Sequence, residues 1–386
     1  MKRDLLLVAA SMFTWGAGEG LFLYFQPLYL QQWGASPVMI GTIYGAIGVA
    51  MAIAQIPAGY LSDRIGSRNI MWASWISGTV AAWIMALANS LPVFIVGLIF
   101  YNLTAFVMAP LSSFITGVRG KWSVQRSLTL VYGMYSLGAV VGPIIGGILS
   151  EQFGLRMVYH ISAIIFIIST ALVLFIHQQA PREVTIKTEN EHLWQNKRFL
   201  TLLALILFTM FALYLPQPLT PNFLQNQRGL DATTIGILGA CGNLGNALLV
   251  LGLGNMVPAS GFLLGQLLIG LFAFALWKGD STVMLGVGYF FVGGYRLCRS
   301  MMLAAARHLV QEREQGLAFG IIETVNSLTV ILAPILAGFL YEKDPGSIYE
   351  VCLVLVGLAL VLSLLFFPRM KPDHTDNLPV TPLERG

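Results

Sequence analysis

The chain has 386 residues, 56% of them hydrophobic and only 10% charged, with a formal net charge of +4. Soluble globular proteins carry roughly 25% charged residues, so this composition excludes a water-soluble fold. The charges lie in short clusters between long apolar stretches, so the positive balance does not point to nucleic acid as a partner. Cys241, Cys298 and Cys352 each fall inside an apolar stretch without metal-ligand spacing, and read as packing residues rather than a disulfide framework or a metal site.

In chain order, apolar windows fall at about 5–31, 38–60, 69–89, 92–116, 124–150 and 155–176, then at about 199–225, 232–255, 260–278, 281–307, 315–341 and 347–368. Lipid cannot satisfy backbone N–H and C=O groups, so each window is predicted to be a helix. Met1 to Ala10 could open a signal peptide, but the apolar run continues through Leu30 and its pattern recurs later, so it is kept as the first span. The predicted fold is an all-α membrane protein with twelve transmembrane helices. Sixteen of the 22 lysines and arginines lie in the tails and the even-to-odd connections, whereas Arg156, Arg228, Lys278 and Lys343 lie on the opposite connections. The positive-inside rule then puts both termini in the cytoplasm of a cell whose cytoplasmic membrane the chain crosses.

The stretch "QQAPREVTIKTENEHLWQNKR" is polar, mixed in charge and placed halfway, which predicts a linker over 177–198 between six-helix bundles at 1–176 and 199–368, with a tail over 369–386. The halves share a pattern. A shift of 195 aligns Phe13-Thr14 with Phe208-Thr209, Gly34 with Gly229, Ile40-Gly41 with Ile235-Gly236, and Gly59 with Gly254. A shift of 191 aligns Ser136-Leu137 with Ser327-Leu328, Pro143 with Pro334, and Gly147 with Gly338. Two related halves suggest a duplicated transporter with its site at their interface.

Two motifs carry more. After the second span comes "GYLSDRIGSRN", with Gly59, Asp63, Arg64, Gly66 and Arg68. Its glycines suit a tight turn, and an aspartate beside arginines at a helix end can pair with them or face a helix N-terminus. The fifth span holds "GAVVGPIIGG", with Gly138, Gly142, Pro143, Gly146 and Gly147. Glycines four apart make a smooth stripe for close helix contact, and the proline removes one backbone hydrogen bond and kinks the helix. Together these residues resemble the loop signature and the antiporter motif of the major facilitator superfamily. The resemblance implies two rocking bundles, a cytoplasmic latch at Asp63, and a central cavity lined by helices 1, 4, 7 and 10. Without it, the first motif reads equally as a turn with topogenic charge, and the second as small-residue packing. The second half departs from both: Pro258 stands where Asp63 would be, which makes any latch one-sided, and "TVILAPILAG" keeps only Pro334 and Gly338. Mid-helix 4 offers Tyr101 and Asn102 where proton-coupled members often carry an arginine, so a relay through such an arginine is absent.

Four ionisable residues sit deep in spans: Glu19, Arg296, Arg299 and Glu323. Each costs about 2.5–3.5 kcal/mol at a membrane centre unless it has a partner, a wet cavity or a task. Arg299 and Glu323 lie at equal depth on either side of one connection, which predicts a buried structural ion pair. Arg296 lies one turn deeper on the same face. It could share Glu323, reach Glu19, or face an anionic group of a substrate. Glu19 shares a stripe with Trp15, Phe22 and Gln26, which suits a cavity wall better than lipid, and Tyr214 stands at its repeat position, followed by Asn222. Weaker candidates are Tyr132, Tyr135, Ser136, Asn243, Asn246, Asn326 and Ser327, which interhelical hydrogen bonds explain equally well.

No phosphate-binding loop, zinc motif or nucleophile elbow occurs, so the chain is expected to be neither an enzyme nor ATP-driven and to need no cofactor or metal. The leading expectation is a monomeric proton-coupled exporter of small, partly apolar molecules. Glu19 is then the proton or cation site, and Trp15, Phe22, Gln26, Tyr101, Asn102, Tyr214, Asn222 and Arg296 are cavity residues. The alternative is a symporter or facilitator of an organic anion or sugar-like metabolite gripped by Arg296. A third reading, of another class, is a non-transporting membrane receptor or scaffold.

Overall fold

A computed structural model describes residues 3–177, 193–307, 309–310 and 315–367, without the side chains of residues 55–65, 109, 194 and 316. The first half runs through α1 (Arg3–Leu23), α2 (Gln26–Gln32), α3 (Pro37–Ile65), α4 (Ser67–Leu87), α5 (Leu91–Leu103), α6 (Met108–Val118), α7 (Val124–Phe153) and α8 (Leu155–Leu174). The second half runs through α9 (Lys197–Tyr214), α10 (Thr220–Asn226), α11 (Ala232–Leu253), α12 (Pro258–Lys278), α13 (Thr282–Phe291), α14 (Gly294–Arg307), α15 (Gln315–Lys343) and α16 (Ser347–Phe366).

These sixteen helices make twelve spans because four spans are divided: α1 with α2, α5 with α6, α9 with α10, and α13 with α14. They are the first, fourth, seventh and tenth. Among the described residues, ten helices are long and apolar enough to cross a membrane, and the fourth span, bent by 42° between Leu91–Val107 and Pro110–Val118, makes eleven. The tenth, α13 followed by α14, completes the set. Residues that cannot continue a helix mark the breaks. Pro27 opens α2, Pro216, Pro218 and Pro221 surround the start of α10, and Gly293 separates α13 from α14. Pro143, by contrast, lies within a continuous α7, as Pro334 does within α15; the kink expected there does not interrupt either helix.

Polar side chains stitch the first half internally. The Ser11 and Ser169 hydroxyls lie 2.8 Å apart, and the Trp75 indole donates to both, at 2.9 and 3.1 Å, joining α1, α4 and α8. In the second half the Gln266 amide donates to the Ser363 hydroxyl at 2.9 Å, tying α12 to α16.

The halves meet along two repeat-related seams. A Cβ on Gly41 of α3 would land on the Pro334 carbonyl of α15, and one on Gly236 of α11 would land on the Pro143 carbonyl of α7. Gly338 and Gly147 repeat the pattern, against Pro37 and Ala232. Only glycine permits backbones to approach this closely. A third junction joins α2 to α10, where the Asn222 and Asn226 amides both donate to the Gln31 carbonyl oxygen, at 2.5 and 3.0 Å. Gly34 and Gly229, equivalent in the repeat, end these two spans at φ of 84° and 64°, a region that favours glycine.

Candidate functional site

Glu19 sits in α1 between Gly18 and Gly20, and the stripe Gly138, Gly142, Gly146 of α7 lies directly on that stretch. A Cβ at those three positions would meet the carbonyl oxygens of Phe13, Ala17 and Leu21 in turn. Tyr135, one turn before Gly138 on the same face, is thereby carried to the carboxyl, and its hydroxyl donates to Glu19 Oε2 at 2.7 Å. Glu19 itself is half-buried. Tyr101 lies beside it from α5, with its hydroxyl buried and in hydrogen-bonding geometry with no group among the described residues.

Arg296 faces Glu19 from the other half within electrostatic reach, but joins neither Glu19 nor Glu323 in an ion pair. It is exposed, and lines a cavity of about 30 Å³ with Tyr135, Ser136 and Ala139 of α7 and Asn243, Asn246 and Ala247 of α11. Asn243 is engaged, donating to the Ala139 carbonyl at 2.5 Å and accepting from the Tyr24 hydroxyl at 3.5 Å. Asn246 and the Arg296 guanidinium make no hydrogen bond among the described residues. A wider hollow of about 540 Å³, formed by Ser36, Val38, Phe339, Glu342 and Lys343 at the ends of α3 and α15, includes none of these groups.

Several residues expected on an open wall lie elsewhere. Phe22 is 1% exposed, packed between Tyr101, Tyr159 and Phe166 in the core of the first half. Trp15 stacks on Phe166 with ring centroids 4.3 Å apart. The helix stripe that Glu19 shares with them turns these large rings into the bundle, where burial is most favourable, and leaves the carboxyl at its edge. Gln26 is buried and accepts from the Tyr44 hydroxyl at 3.1 Å, and Asn222 is buried in the α2–α10 junction, donating to Pro27 O at 3.2 Å. The Asn102 amide is spent on the Leu98 carbonyl, one turn back in its own helix. Tyr214 stays partly open and lies 5.6 Å from the Tyr295 ring, centroid to centroid.

Arg299 and Glu323 form a two-point ion pair, at 2.6 and 3.3 Å, but it is not buried: the two side chains are 46% and 32% exposed. Among the loop-motif residues, the side chains of Asp63 and Arg64 and the surroundings of Gly59 lie outside what the structure describes, as do 178–192 of the linker and the tail from 368. Gly66 turns the chain at φ 84°, and the Arg68 guanidinium sits over the Trp72 ring, 4.3 Å from its centroid.

The pattern that defines the Major Facilitator Superfamily matches residues 6–295 and 202–385. The chain belongs to that superfamily. Over 192 residues it is 30% identical to the multidrug resistance protein MdtG of Citrobacter koseri, covering 48% of this chain and 47% of that protein. Over 173 residues it is 25% identical to an uncharacterized MFS-type transporter of Methanocaldococcus jannaschii, covering 45% of each. The chain thus spans about half the length of the curated relatives it matches. Its fold is similar to that of the nucleoside transporter NupG, with a TM-score of 0.80 at 14% identity over 97% of this chain and 100% of that one. It is also similar to a bacterial homologue of the human lysosomal transporter Spinster in an inward-facing, occupied conformation, with a TM-score of 0.76 at 14% identity over 96% and 98% of the two chains. At such identities the likeness is one of fold.

In this superfamily member, the divided first, fourth and tenth spans each supply a group to the Glu19 region: Glu19 itself, Tyr101 and Arg296. Irregular backbone at membrane depth belongs where it lines a cavity or is covered by protein. Tyr135, a weaker candidate from the sequence, contacts Glu19, and Gln31 and Asn226, which were not among the candidates, join the halves. A usable sign existed for each. Tyr135 is in phase with the glycine stripe, and Gln31 and Asn226 are 195 residues apart, like the aligned glycines.

Proposed function

We propose that the chain is a secondary active transporter that works by alternating access, the halves rocking about a midplane site with Glu19 as its proton site. The observation that carries this reading is the half-buried Glu19 carboxyl, held by Tyr135 at 2.7 Å beside a cavity whose opposite wall bears Arg296. Intramembrane acids so placed mark ion or proton pathways. Export of small, partly apolar molecules is supported by the likeness to MdtG, named a multidrug resistance protein, and by the helix-5 glycine motif. The proposed orientation puts both termini in the cytoplasm, with 177–198 as the linker, on the strength of the lysine and arginine distribution. In everted vesicles containing the protein, an inward-acidic gradient should drive uptake of partly apolar fluorescent dyes, and Glu19→Gln should abolish the gradient's effect. Wild-type transport indifferent to the gradient would discard the proposal.

A second reading is favoured by Arg296, which is exposed and makes no hydrogen bond from its guanidinium among the described residues. Such a group suits the carboxylate of an organic anion moved by a symporter or facilitator. Loss of anion binding in Arg296→Ala, with transport indifferent to Glu19→Gln, would favour it over export.

A further inference from the structure

Tyr135 takes part in two things at once. Its hydroxyl donates to Glu19, and its side chain forms part of the wall of the cavity that Arg296 and Asn246 close from the other half. We propose that Tyr135 is the positioning residue through which the state of the cleft is felt at Glu19: it holds the carboxyl when the cavity is empty and releases it when a ligand or the opposing wall displaces the ring. This rests on the reading of Glu19 as the proton site.

The packing supports a division of labour. Gly16 lies against the Tyr135 carbonyl, and Gly20 lies against the Gly142 backbone, so α1 and α7 meet backbone to backbone both before and after Glu19. Glu19 and Tyr135 therefore belong to one rigid body. Arg296 and Asn246 belong to the other half, and their distance from Tyr135 changes as the halves rock. The side chain between them is the place where movement of one half, or a molecule in the cavity, reaches the carboxyl.

The groups facing Glu19 also provide an alternative partner. The titratable and charged ones are Tyr135 from α7, Tyr101 from α5 and Arg296 from α14, while α8 meets α1 there with Ile165 and Phe166. The Tyr101 hydroxyl is buried, lies beside the same carboxyl, and meets no partner at full hydrogen-bond geometry among the described residues. A carboxyl freed from Tyr135 keeps Tyr101 beside it, so the released state also has a donor at hand. Proton exchange then needs no charge on tyrosine: the carboxyl oxygen gains or loses a proton to cavity water while either phenol remains a donor.

Infrared difference titration of the full chain in nanodiscs tests this without a known substrate. In the wild type a protonated-carboxyl band should titrate, and Glu19→Gln should remove it. Tyr135→Phe should shift that band to higher frequency, as a carbonyl does on losing a donor, and move its titration midpoint. Tyr132→Phe, whose hydroxyl pairs with Ser112 at 2.8 Å, should change neither. Incorporation of 3-fluorotyrosine at 135 keeps the shape and makes the phenol a stronger donor, so it should move the band without disturbing the fold even if Tyr135→Phe unfolds. A band and midpoint unchanged by both substitutions at 135 would overturn the inference while leaving Glu19 a proton site. Absence of any band removed by Glu19→Gln would instead overturn the proposed function.

Discussion

Gln31 and Asn226, 195 residues apart in the repeat, each donate an amide hydrogen bond to the other across the boundary between the halves, at 3.2 and 3.0 Å. Two equivalent side chains meeting on the pseudo-twofold axis can close a gate reciprocally, as identical patches do in a symmetric dimer. Asn222 strengthens the junction through its bond to Gln31, and the Asn226 amide also donates to the Tyr341 hydroxyl at 3.4 Å. Because the joining groups are neutral amides at an exposed edge, water can replace each bond when the halves part, and no buried charge is stranded.

Gln31→Ala should therefore bias the molecule toward parting at this end. A hydrogen bond contributes roughly 0.5–1.5 kcal/mol net, so losing the three that Gln31 makes should shift the equilibrium by about tenfold or more. Spin labels at the exposed, repeat-related Gln32 and Gln227 would read it as added population at longer distances. A distance distribution identical to the parent's would show that the glycine seams, not the amides, hold the junction.

The glycine contacts are of two kinds, and substitutions should separate them. Gly236 meets Pro143 across the halves, whereas Gly138 meets Phe13 and Ala17 within one half. Overpacking costs about 1–3 kcal/mol, and more where the struck atom is backbone that cannot give way. Gly138→Val should lower the melting temperature in every conformational state. Gly236→Val should leave the first half intact and penalise only the state in which α7 and α11 touch, seen as increased labelling of cysteines placed along that seam. Equal thermal losses in both variants would mean the halves do not separate along α7 and α11.

The helix windows were legible because the lipid requirement is uniform along each span, and every window coincides with a helix or a divided helix pair. The divisions themselves were not, since α1 continues into α2 through apolar residues with only Pro27 to mark the change. At the site, hydrophobic periodicity grouped Glu19 with Trp15 and Phe22, but it cannot tell a wall facing water from one facing the bundle core. That choice was made by packing from α5 and α8, which enclose Phe22 with Tyr101 and Phe166. Arg299 and Glu323 were paired by counting from the connection between them, but depth along a helix says nothing about exposure around it.

The polar knot of Ser11, Ser169 and Trp75 gives a test of how much interhelical hydrogen bonds matter in this fold. Ser169 donates to the Ser11 carbonyl at 2.8 Å and accepts from Trp75, but Trp75 also reaches Ser11 at 2.9 Å. Removing one hydroxyl therefore leaves the indole satisfied. Since interhelical bonds in membranes average about 0.6 kcal/mol, Ser169→Ala should cost less than about 1 kcal/mol in unfolding titrations. Ser169→Leu should cost several times more, because the site is fully buried and the added volume has nowhere to go. A large loss from the alanine variant would mean that the knot, rather than shape, aligns α1, α4 and α8.

The Arg299–Glu323 pair poses the opposite problem, since its geometry is good and its surroundings are open. A dry buried pair broken on one side costs about 3–5 kcal/mol, whereas a solvent-exposed one contributes about 0–1 kcal/mol and weakens with salt. With side chains 46% and 32% exposed, the pair can lie against water in the cleft or against lipid, and the two settings differ in consequence. Charges facing lipid would have to stay paired, so Glu323→Gln alone would cost about 3–5 kcal/mol. The neighbouring Tyr295–Asn326 hydrogen bond at 3.1 Å and the partly open Tyr214 beside Tyr295 continue a polar surface on the same side, which favours the cleft. Glu323→Gln should then cost no more than about 1 kcal/mol, with the difference from wild type shrinking as salt is raised. The exchange Arg299→Glu with Glu323→Arg should recover most of that loss. A salt-independent penalty of several kcal/mol would place the pair in a dry setting and remove it from the cleft wall.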